Sequence, residues 1–412
     1  MRTPDEAIDQ ILRRVGVQSP ADRAPREELV ALAAADGRVL ARDVASDVDL
    51  PPFEKSAMDG FAVRSADFAG TTGSVVRALV EEARAGAPFP GPVPPRACVE
   101  IYTGAELPPD CDAVVMVEKT ARSGASVTLE GGARPGQNVC HRGEDLRNGA
   151  VVLQRGRRLS PIDLSVLAAV GCQPVPVFAR PRVTLLTTGD ELVEAHVRPG
   201  PGEIREGNTH YLAARARRAH AEVENLGIVR DDEAALEAAF RRAFEASDAV
   251  ITTGGVSMGR YDLVGAVLER VGVEPVFHKV AIKPGKPLWF GMRGRVPVFA
   301  LPGNPVSCLI GFEVFVRPAL AALEGAADET AARLRIGRWR GGPTAENPRQ
   351  QNLPCRVRQG ADGVVELEPL AWTSSADIVG LTRAQGLAVV EPGAVLRPGE
   401  LARYRPLAEL DA

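Results

Sequence analysis

Three apolar stretches run directly into glycine: 181-PRVTLLTTG-189, 247-SDAVITTGG-255 and 295-RVPVFALPG-303. Strands that are apolar at nearly every position are buried on both faces, so helices must cover them on either side. The intervening sequence supplies those helices. NTHYLAARARRAH reads as a helix capped by Asn208, DDEAALEAAFRRAFEAS as one opened by acids, YDLVGAVLERVG as a third, and PVSCLIGFEVFVRPAL as a fourth begun by Pro305. With EVENLGIV as a further strand, the alternation predicts a central, mostly parallel α/β sheet domain.

The flanks have a different texture. The first 45 residues read as helical, with Ile8, Ile11, Leu12 and Val15 at helical spacing and Leu29, Ala33 and Leu40 continuing the pattern. From about Leu50 to Asp145, short apolar runs lie between Gly and Pro turns, which predicts a small β-rich domain. In RLSPIDLSVLAAVG, Ser160 is placed to cap a helix, Pro161 to occupy its first turn and Gly171 to stop it. After about residue 327, RLRIGRWR, CRVRQ, VVELEPL and LAVVEP predict a C-terminal β-barrel or sandwich. The expected division is a helical, extended domain from 1–46 plus 147–178, a β-rich second domain at 47–146, the central domain at 179–326 and the C-terminal barrel at 327–412.

Composition excludes several classes. The formal net charge of −4 opposes general binding to nucleic acid or membrane surfaces. No apolar run is expected to reach the ~18 residues of a membrane span. The six cysteines, Cys98, Cys111, Cys140, Cys172, Cys308 and Cys355, form no C-x-x-C pair and no disulfide framework. The N-terminus does not read as a signal peptide. The expectation is a reduced, cytoplasmic protein.

In an open α/β sheet, ligands bind beyond the carboxyl ends of the strands. Here those ends carry 187-TTGDEL-192, 252-TTGGVSMG-259 and 301-LPGNPVS-307. Gly189, Gly254, Gly255 and Gly303 allow sharp turns or close backbone approach. Ser257 is a candidate phosphate donor rather than a nucleophile. None of the loops is a Walker or dinucleotide-binding sequence. Nearby, 278-HKVAIKPGKPLWFG-291 gathers Lys279, Lys283 and Lys286, compact cations suited to phosphate or another oxyanion. Glu191 and Asp262 follow the glycine loops. Asp231 is a third candidate carboxylate, although an acid there also suits a helix start. Hard oxygens beside phosphates suit Mg²⁺, and cations with carboxylates point to phosphoryl chemistry. No metalloprotease motif, nucleophile elbow or Cys–His pair is evident.

PPFEKSAMDGFAV, IYTGAELP, RGEDL, TTGDEL, NLGIVRDD, TTGGVSMGRYDLV, AIKPGKP and LPGNPVS occur in this order. Together they closely resemble the MoeA family of molybdopterin molybdenumtransferases, which includes the E domain of gephyrin. The resemblance implies a central domain similar to molybdopterin adenylyltransferase, and an elongated homodimer whose cleft is shared between subunits. It implies insertion of molybdenum from molybdate into adenylylated molybdopterin (molybdopterin-AMP), with release of AMP. It places Asp59, Thr103 and Asp145 on the second-domain side of the cleft. Glu191, Asp231, Asp262, Lys279 and Lys283 line the central-domain side, where Pro302, Asn304 and Pro305 shape a loop. Ser375 fits a functional serine of the C-terminal domain, whereas 384-AQG-386 departs from the frequent A-N-G and the pattern around Arg349 and Arg356 is irregular. The alternatives are an adenylyltransferase acting one step earlier, which would also be a transient partner of this chain, and a scaffold for partner proteins.

Overall fold

The computed structural model describes residues 1–16, 26–255, 263–326 and 334–407. Its centre is a six-stranded sheet in the order Glu222–Val229, Arg182–Thr188, Ala249–Thr253, Val296–Leu301, Trp289–Arg293, Glu274–His278. The first four strands are parallel to one another, and the last two pair antiparallel. The sheet is therefore mixed, with three parallel pairings and two antiparallel ones. Val296–Leu301 and Trp289–Arg293 form a hairpin, which needs only a tight turn, and Gly294 at φ 55° supplies it. One face packs on Leu236, Phe240, Val264 and Leu268. The other packs on Leu212, Ala216, Phe312 and Phe315. The run Pro305–Leu323 is long and apolar enough to cross a membrane by composition, but 78% of it lies inside the fold. Its middle, Phe312–Val316, is a π-helical turn.

Residues 1–46 do not form one helical unit. Pro4–Gly16 is a helix, but its Ala7, Ile11 and Val15 join the central-domain core. Glu27–Val30, read as helical, is a strand paired antiparallel with Val175–Phe178. Leu32–Ala34 is a short 3₁₀ turn. Pro161–Ala169 is a helix as predicted, and Ser160 and Asp163 cap it reciprocally. Asn208 is not a cap. It is the first helical residue, and the Glu206 carboxylate receives the N–H of Thr209 at 2.8 Å.

The second domain holds a six-stranded mixed sheet around Val99, Ile101 and Val114. In the C-terminal domain, Arg335–Trp339, Val365–Pro369, Gln350–Gln359, Gly386–Val390 and Leu401–Pro406 pair in a closed cycle. The result is a five-stranded barrel around Tyr404, Cys355 and Leu367. Its long strand also pairs with Ile282–Lys283, which joins the barrel to the lysine loop.

Candidate functional site

The strand ends of the central sheet are tied together. Thr187 Oγ1 donates to the Thr253 carbonyl at 3.0 Å, and Thr253 Oγ1 donates to the Pro302 carbonyl at 3.2 Å. Asn208 Nδ2 donates to Thr253 Oγ1 at 3.2 Å and to the Gly303 carbonyl at 2.7 Å. Asn208 thus braces two glycine loops, a role its misassigned cap concealed. At Gly254, φ is 90° and a Cβ would lie 2.1 Å from the Thr188 carbonyl oxygen, so no side chain fits. Gly255, also at positive φ, packs on Val264.

Acidic groups gather at the neighbouring end. The Thr188 hydroxyl donates to Asp231 Oδ1, and the Asp231 N–H donates to Asp190 Oδ1 at 3.3 Å. The Glu191 carboxylate folds over Gly189, where a Cβ would come within 2.8 Å of Oε2. Asp232 is the helix cap, accepting from the Ala235 N–H at 2.9 Å, so Asp231 is free of that duty. Hard oxygen donors suited to magnesium are therefore present. Among the described residues, no three His, Cys, Asp or Glu converge tightly enough to bind a metal by themselves. Asp262, the third expected ligand, and Ser257 lie outside the described residues.

The lysine loop is held on two sides. Ala281 donates its N–H to the Arg2 carbonyl at 2.7 Å, while Gln350 of the barrel donates to the Ala281 carbonyl at 3.0 Å. Lys279 has φ 77°, unusual for a residue with a side chain, and its N–H donates to the Leu288 carbonyl at 2.8 Å. Between this loop, LPGNP and the barrel lies a cavity of about 480 Å³. Lys283, Lys286 and Arg349 bring cations to its wall, and Ser307, Thr373 and Ser375 bring hydroxyls. Pro302, Asn304 and Trp372 complete much of the remainder. Asn304 Nδ2 donates to Ser375 Oγ at 3.0 Å, and the Val306 N–H donates to the Ser375 carbonyl at 3.0 Å. Pro305 opens the adjoining helix as expected. Ser307, Arg349, Trp372 and Thr373 are wall residues that the motif reading did not assign. Only the irregular segment around Arg349 and the candidate Ser375 lay near them.

The second-domain motifs form one loop cluster of their own. Lys55–Ser56 pairs with Val139–Cys140, bringing SAMDG beside HRGED. The Gly104 N–H donates to the Ser56 carbonyl at 2.8 Å, which adds IYTGA. Asp59 Oδ1 accepts from both the N–H and the hydroxyl of Thr103, each at 2.7 Å. Those two bonds, the backbone one foremost, hold the Asp59 carboxyl below its ordinary range. Asp59 and Asp145 are exposed. Among the described residues, no hydrogen bond or ion pair joins this cluster to the central-domain loops. The sequence-predicted residues thus fall into two sets within one chain.

Glycine strand ends, a cationic cavity with hydroxyl donors, and an acidic strand end define a class of enzyme that handles phosphate and oxyanion groups. Comparison with known proteins narrows the class. Residues 2–171 match the MoeA N-terminal region (domain I and II), and residues 184–322 match a probable molybdopterin binding domain. A molybdopterin molybdenumtransferase of Haemophilus influenzae is 38% identical over 326 residues, covering 79% of this chain and 78% of the relative. One from Synechococcus elongatus is 35% identical over 377 residues, covering 89% and 91%. The crystal structure of a molybdopterin biosynthesis MoeA protein from Pyrococcus horikoshii superimposes with a TM-score of 0.84 at 27% identity, covering 98% and 99%. The chain belongs to the MoeA family of molybdopterin molybdenumtransferases.

Proposed function

We propose that this chain inserts molybdenum from molybdate into adenylylated molybdopterin, releasing AMP and forming molybdenum cofactor. The observation that carries the reading is the cavity where Lys283, Lys286 and Arg349 meet the hydroxyls of Ser307 and Ser375. Molybdate is a tetrahedral dianion, and fixed cations with short hydroxyl donors match its charge and its oxygens. The glycine strand ends offer backbone approach to the phosphates of the second substrate. Near Lys279 and Lys283 the two dithiolene sulfurs bond to molybdenum as two oxo groups of molybdate take up protons from solvent and leave as water, and a water molecule then attacks the phosphoanhydride and releases AMP. Positioned charge supplies most of the rate, and the carboxylates need not act as general bases.

Glu191 and Asp231, with Asp262, are the residues that would hold Mg²⁺, whose bound charge would offset that of the phosphates. The hard oxygens at this strand end support the assignment. The Asp59–Thr103 and Asp145 cluster belongs to a cleft completed by a second copy of the chain. The self-contained bonding of that cluster supports a homodimer with a shared site, and molybdopterin adenylyltransferase is its transient upstream partner. Glu191→Ala should abolish cofactor formation while circular dichroism and unfolding stay unchanged; full activity would remove Glu191 from the site. Insertion should also cease in excess chelator, and undiminished turnover there would end the metal assignment.

A further inference from the structure

Trp372 is one of three tryptophans in the chain. Trp289 and Trp339 are buried in the central sheet and the barrel, whereas Trp372 is half-buried and forms part of the cavity wall. Its neighbours on that wall are cations, hydroxyls and prolines, so it is the only aromatic side chain the cavity presents among the described residues. The segment behind it is fixed. Asp377 Oδ2 accepts from the Thr373 N–H at 3.0 Å and from its hydroxyl at 3.3 Å, and Oδ1 accepts from the Gly380 N–H at 2.9 Å. At Gly380, a Cβ would sit 3.2 Å from Trp372 Cβ, so the returning chain closes against the tryptophan. Ser375, three residues on, is bonded to Asn304 and Val306 of the central domain. The indole packs in part on the apolar core of the central domain, and its remaining surface forms cavity wall beside the groups proposed to hold the oxyanion.

A substrate whose metal-binding sulfurs must reach that oxyanion brings its fused ring to the same wall, and its adenylyl group lies beyond the phosphates. We infer that Trp372 is the platform on which the flat pyrimidinone ring of the substrate's pterin stacks, setting specificity for a pterin at the oxyanion end of the cavity. The inference rests on the function proposed above. Aromatic stacking tolerates any flat ring but not its absence, so the ring matters more than the indole N–H.

The test is calorimetric titration of the purified full-length protein with 6-carboxypterin and, separately, with AMP. The dissociation constant for the pterin should rise about tenfold in Trp372→Ala and stay within about threefold of wild type in Trp372→Phe, as for stacking on an aromatic side chain. AMP affinity should not move in either variant. Equal pterin affinity in Trp372→Ala, no pterin binding to wild type, or a loss confined to AMP would overturn the assignment. Molybdenum insertion by the wild type is assayed alongside. An active wild type with an unmoved pterin constant removes the stacking role alone, whereas an inactive wild type removes the reading beneath it.

Discussion

Lys279 holds a backbone conformation that costs a side-chain-bearing residue about 1 kcal/mol or more. It is kept there by its bond to Leu288 and by the Arg2 and Gln350 contacts of the following residues. Lys279→Gly should raise stability in urea unfolding by about 1 kcal/mol while insertion activity collapses. A gain in both would mean that the ammonium has no role. At Gly60 the constraint is steric, since a Cβ would lie 2.1 Å from the Val115 carbonyl oxygen. Gly60→Ala should destabilise the second domain by about 2 kcal/mol or more, measured by thermal unfolding. For Asp59, the Thr103 bonds lower the folded pKa below the unfolded one. The carboxylate's contribution to stability is thus complete above the unfolded value of about 3.9 and fades as pH falls through the folded value. In NMR titration the Asp59 midpoint should lie below that of an ordinary aspartate and rise in Thr103→Ala. The SAMDG glycine was legible because turn chemistry is local. The Asp59–Thr103 bond, 44 residues apart in sequence, was legible only as two motifs that belong to one family pattern.

Among the elements, two helices that begin at the site meet again at a buried ion cluster. Asn208–Arg218 starts at the glycine loops, and Pro305 starts the run that carries Glu313 in its π-helical turn. Glu313 is fully buried, and receives Arg215 at 2.6 Å, Arg317 at 3.2 Å and the Tyr211 hydroxyl at 3.3 Å. Arg215 also donates to the Leu407 carbonyl at the end of the barrel domain, at 2.7 Å. Glu313→Ala leaves buried guanidinium groups undercompensated and should cost about 3 kcal/mol or more in chemical denaturation. A loss below about 1 kcal/mol would show that the cluster is solvated in solution. The four parallel strands and their helices were legible because apolar runs and helical spacing are local signals. The strand Trp289–Arg293 was not. That stretch reads for its lysines alone, and at Gly291 a Cβ would lie 2.4 Å from the folded-back Trp289 ring. Glu27–Val30 misled for a related reason: helical spacing at Leu29 and Ala33 was overridden by a distant partner, Val175–Phe178.

At the scale of the molecule, the cavity is a junction between domains. Arg349 and Trp372 belong to the barrel side of the lysine loop, and Asn304 and Ser375 meet across 71 residues of chain. No short motif encodes such a meeting: the family resemblance reached Ser375 on the barrel side, whereas Trp372 and Thr373 escaped it. If second copies complete the cleft, mixing Asp59→Asn subunits with Glu191→Ala subunits should restore part of the activity each lacks. No recovery despite verified subunit exchange would return Asp59 to the ordinary residues of a turn. The insertion reaction itself can be measured in one experiment. Purified protein is given molybdopterin-AMP and molybdate, and bound molybdenum and released AMP are quantified together. AMP release should depend on molybdate and equal the molybdenum incorporated into the pterin. AMP release without molybdate, or formation of molybdopterin-AMP from molybdopterin and ATP in place of insertion, would contradict it.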